Sequence, residues 1–471
     1  MKALLVQQPT IELKVLDMAQ KPLVLGHVYG TAMPSSLARI ARALSQQVDE
    51  VSFSDLRTAD PSNKTLHKKY EWEGGMLEVN RVGADFQQID DEVRGTDIVG
   101  ISSHFTCESG VVEALIQHIK EVNRKVKVVV GGADVKTRPQ EYIKMGADLA
   151  VRSGLNPAII KSFPKEPKIV GAPLPSLKEA VLPDFDPLKD NLPKYTIGHD
   201  GDLPEGIRPP VATIYFSRGC SKGCDFCETR NKFEILDLED AKALLRNYKL
   251  AGITTLDVID DNLLCEAARD RAKLIELFKY MQREGFAWNF PNGLEIRNFI
   301  AEDEEIDQEL LDALFNTGCF GAYIPIETFE KREEYEKLAA LETQNKIIAA
   351  IASKKPLRLS FGVIMTPDAT EETVSRMKSE YLEIREIVNS ASGGMTKMRC
   401  SVFHLSPIAS LREMPCKYGE ANYPELRHFH VPAYDGTTFS ARELLLKKLE
   451  IMRVVDPANF KALSGGTYQY A

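Results

Sequence analysis

Short apolar runs alternate with amphipathic helical patterns along two long stretches of this chain. That alternation admits little besides parallel β-sheet covered by helices. In the first stretch the runs are ALLVQ near residue 3, VSFS at 51, DIVGISS at 97, VKVVVGG at 126 and ADLAVR at 147. Between them, Leu37, Ile40, Ala41 and Leu44 recur at helical spacing within Ser36 to Gln47. Val112, Leu115, Ile116 and Ile119 do the same within Val111 to Val122. Five such strands imply a doubly wound open sheet over residues 1–160, a fold whose ligands sit at the carboxyl ends of the strands. Residues 161–210 are dense in proline, which fixes φ and removes a backbone donor, so they read as an inter-domain linker.

From Val211 the alternation resumes, with strands expected near 211–217, 253–259, 286–291, 320–326, 357–364 and 398–404. Ala241, Leu244, Leu245 and Tyr248 make one helical stripe, and Ile306, Leu310, Ala313 and Leu314 another, with Gly318 expected as its left-handed cap. Asp368 followed by Glu371 reads as a capping box opening the helix through Val374 and Met377. Six βα units are too few to close an eightfold barrel, so residues 211–410 are expected to form a partial (βα)6 barrel. A small carboxyl-terminal region, 411–471, has a helical pattern from Leu444 to Met452.

A chain of 471 residues exceeds one ordinary core, consistent with two or three domains. Its net charge of −9 argues against non-specific binding to nucleic acid or anionic membrane. No apolar run approaches the roughly 18 to 20 residues that span a bilayer. The start, MKALLVQQPT, lacks the long apolar segment of a signal peptide. The expected compartment is therefore the cytoplasm, where thiols stay reduced.

Of eight cysteines, only three are crowded together, in YFSRGCSKGCDFCETR. Cys220, Cys224 and Cys227 follow an apolar strand at C-x3-C-x2-C spacing, with glycines at 219 and 223 that let a loop fold its thiolates inward. Three thiolates on a [4Fe–4S] cube leave one iron open, which suits reaction more than structure. Structural zinc would want four closed ligands, usually as two C-x2-C pairs, and no second pair exists. Cys265, Cys319, Cys400 and Cys416 read most simply as buried apolar thiols, with Cys400 and Cys416 the first to test for another role.

The cysteine motif, with aromatic Phe226 before its third cysteine, resembles that of the radical S-adenosylmethionine superfamily. VIDDN at 258–262, AYIPIET at 322–328, FGVIMTPDATEET and FHLSPIASL resemble its later strand segments. The resemblance implies that S-adenosylmethionine chelates the open iron. An electron from a donor such as flavodoxin or ferredoxin would then cleave it, usually to a 5′-deoxyadenosyl radical. Asp260, Asp261, Glu327 and Met365 fall at the carboxyl ends of expected strands, the catalytic rim of such a barrel. The acidic ones would bind ribose hydroxyls or the ammonium of the cofactor, or, as Asp261 reads equally well, merely cap the next helix.

The first 155 residues and the linker resemble the cobalamin-binding domain of one branch of this superfamily. The likeness rests on DIVGISS, on VVVGGADVKTRPQEYIKMGADLAVRSG and on PDFDPL. Gly131 and Gly132 would let the backbone approach a flat corrin, and Ser102, Ser103 and Thr106 would hydrogen-bond it. The D-x-H-x-x-G motif that supplies a cobalt-ligating histidine is absent. The branch implies methyl transfer to an unactivated carbon or phosphinate phosphorus of a small molecule, in natural-product biosynthesis. Two alternatives remain open: a non-methyl radical reaction, such as transfer of the 3-amino-3-carboxypropyl group, and a non-catalytic iron–sulfur sensor.

Overall fold

The computed structural model describes residues 1–16, 22–26, 32–154, 157–173, 176–177, 182–198, 201–224, 226–227, 229, 232–301, 304–330, 332, 335, 338–354, 357–404, 424–426, 431–458 and 460. Contacts divide the chain into two units: one holds Met1–Thr196 and Glu420–Arg427, and the other most of the remainder.

In the first unit the strands are β1 (Lys2–Gln7), β2 (Thr10–Leu16), β3 (Pro22–Gly26), β4 (Glu50–Asp55), β5 (Lys64–Trp72), β6 (Gly75–Val82), β7 (Ile98–Ser102), β8 (Lys127–Gly131), β9 (Leu149–Val151) and β10 (Lys168–Val170). Six of them form one parallel sheet in the order β10-β9-β8-β7-β1-β4. Its central strands are apolar runs because both faces are covered, and Leu4, Val6, Val99, Val128 and Val130 are fully buried. The winding reverses between β1 and β7, and the loops that leave those two strands flank the crevice where such sheets bind ligands.

Two features depart from the sequence reading. The first is a four-stranded antiparallel sheet, β3-β2-β6-β5, that the reading missed. Its hairpin turns at Glu73 and Gly74, both at positive φ (49° and 72°), as a two-residue primed turn requires. β5 is mostly exposed and carries Lys64, His67, Lys68 and Lys69, so it offers no apolar period to find.

The second departure is the expected linker, whose residues through Thr196 belong to the first unit. β10 extends the parallel sheet beside β9, and Tyr195, buried, donates its hydroxyl to Asp55 at 2.7 Å. Asp55 also accepts from the amides of Arg57 (2.8 Å) and Thr58 (3.2 Å) at the carboxyl end of β4. Proline breaks regular structure without preventing burial, and Phe185, Leu188 and Leu192 supply the apolar surface.

In the second unit two small ribbons, β11 (Ile197–Gly198) with β12 (Gly201–Asp202) and β14 (Ser217–Arg218) with β15 (Glu234–Ile235), accompany a six-stranded sheet. That sheet contains β13 (Val211–Ile214), β16 (Thr255–Val258), β17 (Ala287–Phe290), β18 (Cys319–Glu327), β19 (Arg358–Met365) and β20 (Lys397–His404), all parallel and each beside the next in sequence. This is the expected run of six βα units.

Local details differ from expectation. Gly318 is not at positive φ. A Cβ there would lie 2.2 Å from the Trp288 ring, so the glycine admits the indole, whose Nε1 donates to Leu314 O at 3.0 Å. The box opening the helix Glu371–Ser392 is made by Thr370 and Thr373, not Asp368 and Glu371. The carboxyl-terminal region is no separate body. Helix Ala441–Val455 joins the second unit, with Lys378 paired to Glu450 at 2.7 Å and Asp456 accepting from the Cys400 amide at 3.1 Å. Residues 424–426 pack in the first unit, where buried Glu425 accepts from the Tyr70 hydroxyl at 2.5 Å and pairs with Lys68 at 3.0 Å. Among the described residues no helix is long and apolar enough to cross a membrane.

Tyr195→Phe should remove one of three donors from a buried carboxylate and cost about 1–3 kcal/mol. The expected outcome is a lower melting temperature and faster limited proteolysis within 182–196. Cleavage at the wild-type rate would contradict the packing of this segment.

Candidate functional site

The cysteine loop leaves the carboxyl end of β13, and the turn after the neighbouring β16 holds it. Asp260, buried, accepts from the amides of Phe216 (3.1 Å) and Ser217 (2.5 Å) and from the Ser217 hydroxyl (2.5 Å). Burial pushes its carboxyl up to about 7, against the pull of those hydrogen bonds. Asp261, exposed, accepts from the Gly219 amide at 2.8 Å, where φ is +85° and a side chain would be strained. On sequence Asp260 reads as a cofactor contact and Asp261 equally as a cofactor contact or a helix cap; both bind the backbone of the loop. The reason is adjacency: in parallel register, residues just past β16 reach the amides just past β13.

Two residues that the sequence reading did not assign reach a sulfur. Asn262 donates Nδ2 to Cys220 Sγ at 3.4 Å and to Glu295 Oε2 at 2.7 Å, and Glu295 pairs with Lys222 of the loop at 3.3 Å. Cys265, expected as a solitary thiol, lies 4.0 Å from Cys220, sulfur to sulfur, and accepts from the Ser221 amide at 3.4 Å. Burial pushes its thiol up. The Thr229 amide donates to Cys227 Sγ at 3.4 Å. Cys220, Cys224 and Cys227 are half-buried, whereas Cys319 and Cys400 are core residues, and Cys416 lies outside the described residues.

This arrangement fits an iron–sulfur cube. Amide donors point at two of the sulfurs, and among the described residues no donor reaches the buried Oδ1 of Asn262 beside Cys220. Among the described residues no three His, Cys, Asp or Glu side chains close on one point as the ligands of a single ion would. A cube instead takes each thiolate on a different iron.

Elsewhere on the rim the expectations divide. Glu327 ends β18 at φ +58°, a backbone conformation that costs a non-glycine residue roughly 1–3 kcal/mol. Arg332, unassigned on sequence, donates to Ile326 O (3.0 Å) and Thr328 O (2.6 Å) on either side of it and to Gln344. Burial pulls its guanidinium down to about 10, opposed by Glu327 and Glu380, so it stays charged at neutral pH. Phe226, half-buried, packs its ring 5.9 Å from that of Tyr335. Met365 does end β19, but it is fully buried and shares the parity of Leu359, Phe361 and Val363. The opposite face carries Gly362, where a Cβ would meet Tyr323 at 2.1 Å and Phe403 at 2.5 Å. Met365 is therefore a core residue.

In the first unit, Ser102–Thr106 and Gly131–Gly132 meet at the carboxyl ends of β7 and β8, but their hydroxyls turn inward. The Ser103 hydroxyl lies 2.7 Å from that of buried Tyr142, which donates to Asp134 at 2.5 Å. Thr106 donates to Asp134 at 2.6 Å, and Arg138 grips the same carboxylate twice, at 3.0 and 2.6 Å. Ser102 is buried. Gly132 has φ +126°, and a Cβ would sit 2.1 Å from Ser103 O, so it serves the close approach of the two loops. Gly131 has room, its nearest neighbour being Val151 at 3.7 Å. What this edge offers a large ring is exposed His104 and Phe105, next to the loop leaving β1. There Gln8 (2.9 Å), Thr10 (2.7 Å) and Arg57 (3.1 Å) converge on buried Glu108. An open, aromatic strand edge at the reversal of winding fits a flat ligand such as a corrin.

Comparison with known proteins gives these geometries a context. Residues 22–157 match the B12 binding domain family. The chain is 24% identical to the cytidylyl-2-hydroxyethylphosphonate methyltransferase of Streptomyces wedmorensis over 396 residues, 70% of this chain and 72% of that protein. Its fold resembles that of the radical S-adenosylmethionine methyltransferase TsrM of Kitasatospora setae, solved with cobalamin and a [4Fe–4S] cluster. That match has a TM-score of 0.55 at 13% identity and covers 87% of this chain and 76% of the other. A second structure of the same enzyme, with tryptophan substrate and the S-adenosylmethionine analogue aza-SAM, gives a TM-score of 0.54 at 13% identity, over 85% and 73%.

Asp260→Ala should leave two buried amides and a hydroxyl without an acceptor, each loss worth about 1 kcal/mol or more. Iron and sulfide retained after anaerobic reconstitution should fall steeply. Asp261→Ala, which frees one amide and an exposed, long hydrogen bond from the Thr229 hydroxyl, should fall less. Equal retention in both variants and wild type would remove these acids from the support of the loop.

Proposed function

We propose that this chain, a radical S-adenosylmethionine enzyme whose amino-terminal unit is a B12-binding domain, is a cobalamin-dependent methyltransferase acting on a small molecule. The observation that carries this reading is the loop of Cys220, Cys224 and Cys227, clasped by Asp260 and Asp261 at the barrel rim, in a chain that also matches the B12 binding domain. When bound, the cluster supplies the electron that breaks a carbon–sulfur bond of S-adenosylmethionine, and cobalamin carries the methyl group. Cys220, Cys224 and Cys227 would hold the cluster, while the Asn262 side-chain amide and the Thr229 backbone amide orient two of the thiolates.

Glu327 would meet a polar part of S-adenosylmethionine, and Arg332 would keep the backbone on both sides of it in place. The edge of the first unit with His104, Phe105 and Gly131 would carry the corrin. The substrate class we favour is an unactivated carbon or a phosphinate phosphorus of a natural-product precursor. Relatives that methylate, together with the B12 binding match, support methyl transfer over transfer of another group. The reductant would be a low-potential protein such as flavodoxin or ferredoxin, in the cytoplasm.

The test is anaerobic reconstitution with iron, sulfide and cobalamin, followed by absorption spectroscopy and an assay of S-adenosylmethionine consumption. Cys220→Ala, Cys224→Ala or Cys227→Ala should each abolish the cluster absorbance and cleavage, because three thiolates share one cube. Protein that never retains cobalamin yet still converts S-adenosylmethionine would overturn the methyltransferase reading.

A separate check addresses Glu327. Glu327→Gln should weaken S-adenosylmethionine binding about tenfold or more, from loss of a charge-assisted hydrogen bond, with iron content unchanged. Unchanged affinity by calorimetry would make the residue structural.

A further inference from the structure

We infer that Asn262 and Cys265 set the reduction potential of the cluster by hydrogen bonding to the sulfur of Cys220. The inference rests on the cluster reading above and adds positioning residues that act through one ligand.

Both residues come from the turn that joins β16 to the helix Ala267–Arg283. Asn262 Nδ2 stands 3.4 Å and Cys265 Sγ 4.0 Å from Cys220 Sγ. Asn262 is held in place because the same Nδ2 donates to Glu295, which the loop residue Lys222 pins from the other side. Cys265 is held by the Ser221 amide, which occupies one sulfur lone pair, with the Ser221 hydroxyl 3.3 Å away. Asn262 is 7% and Cys265 6% exposed, so solvent screens neither interaction. Among the described residues Cys227 receives one backbone amide, from Thr229.

Reduction adds negative charge that spreads onto the thiolate sulfurs. A donor aimed at a sulfur stabilises that charge and raises the potential. With two side-chain donors on Cys220, removal of either donor should make the cluster harder to reduce.

The experiment is a redox titration of the full-length reconstituted protein without S-adenosylmethionine, followed by electron paramagnetic resonance of the reduced cluster. For Asn262→Ala, the reduced-to-oxidised ratio at a fixed potential should fall about tenfold, a shift of about 59 mV for one electron. Cys265→Ala should shift in the same direction by less, and Cys265→Ser, which keeps a hydroxyl donor, should return toward wild type. Asn262→Ala and Cys265→Ala clusters that both titrate with wild type would overturn the inference. Should Asn262→Ala take up no iron, the Cys265→Ala and Cys265→Ser pair decides it alone. Wild-type protein that assembles no cluster would overturn the underlying cluster reading instead.

Discussion

The cysteine loop at the barrel rim depends on one buried carboxylate, Asp260, reaching from the end of one strand to the backbone amides at the end of its neighbour. Burying a carboxylate is costly unless donors surround it, and here two amides and a hydroxyl do so. The loop that begins at Ser217 cannot slide relative to β16 without stranding that carboxylate. The residues that follow Asp260 extend the same hold. Asp261 takes the amide of Gly219, and Asn262 and Cys265 approach the first sulfur. A single turn thus fixes both the path of the loop and the surroundings of Cys220.

The first unit repeats the device with different residues. Asp134 gathers Thr106, Arg138 and Tyr142, and Tyr142 in turn holds Ser103, so the loops after β7 and β8 form one piece. Glu108 does the same for Gln8, Thr10 and Arg57. In the second unit the buried acid satisfies backbone amides past a strand end, whereas in the first Asp134 and Glu108 gather side-chain donors from neighbouring loops. Asp260 reads on sequence as a ligand contact, since an acid past a strand end serves either purpose. His104 and Phe105 are exposed residues of the first unit's strand edge.

How far the sequence could be read varied with the kind of signal. The six barrel strands and five of the six strands of the first sheet were legible because buried parallel strands are largely apolar runs. The three cluster cysteines were legible because their spacing lies within one loop. The hairpin β5–β6 was not, because its first strand is charged and exposed. The packed linker was not, because proline content reports local backbone restriction and carries no information on what Tyr195 touches.

What the sequence alone determined is therefore the local part: which segments are strands, which helix follows each, and which thiols share a loop. Tertiary structure decided every relation across strands. Parity along β19 put Met365 on the buried face, register between β13 and β16 turned Asp260 toward amides, and the turn after β16 brought Cys265 to within 4.0 Å of Cys220, 45 residues away. Periodicity is a property of neighbours in the chain, whereas hydrogen-bond partners and sulfur contacts depend on which strands lie side by side, and only the folded sheet sets that.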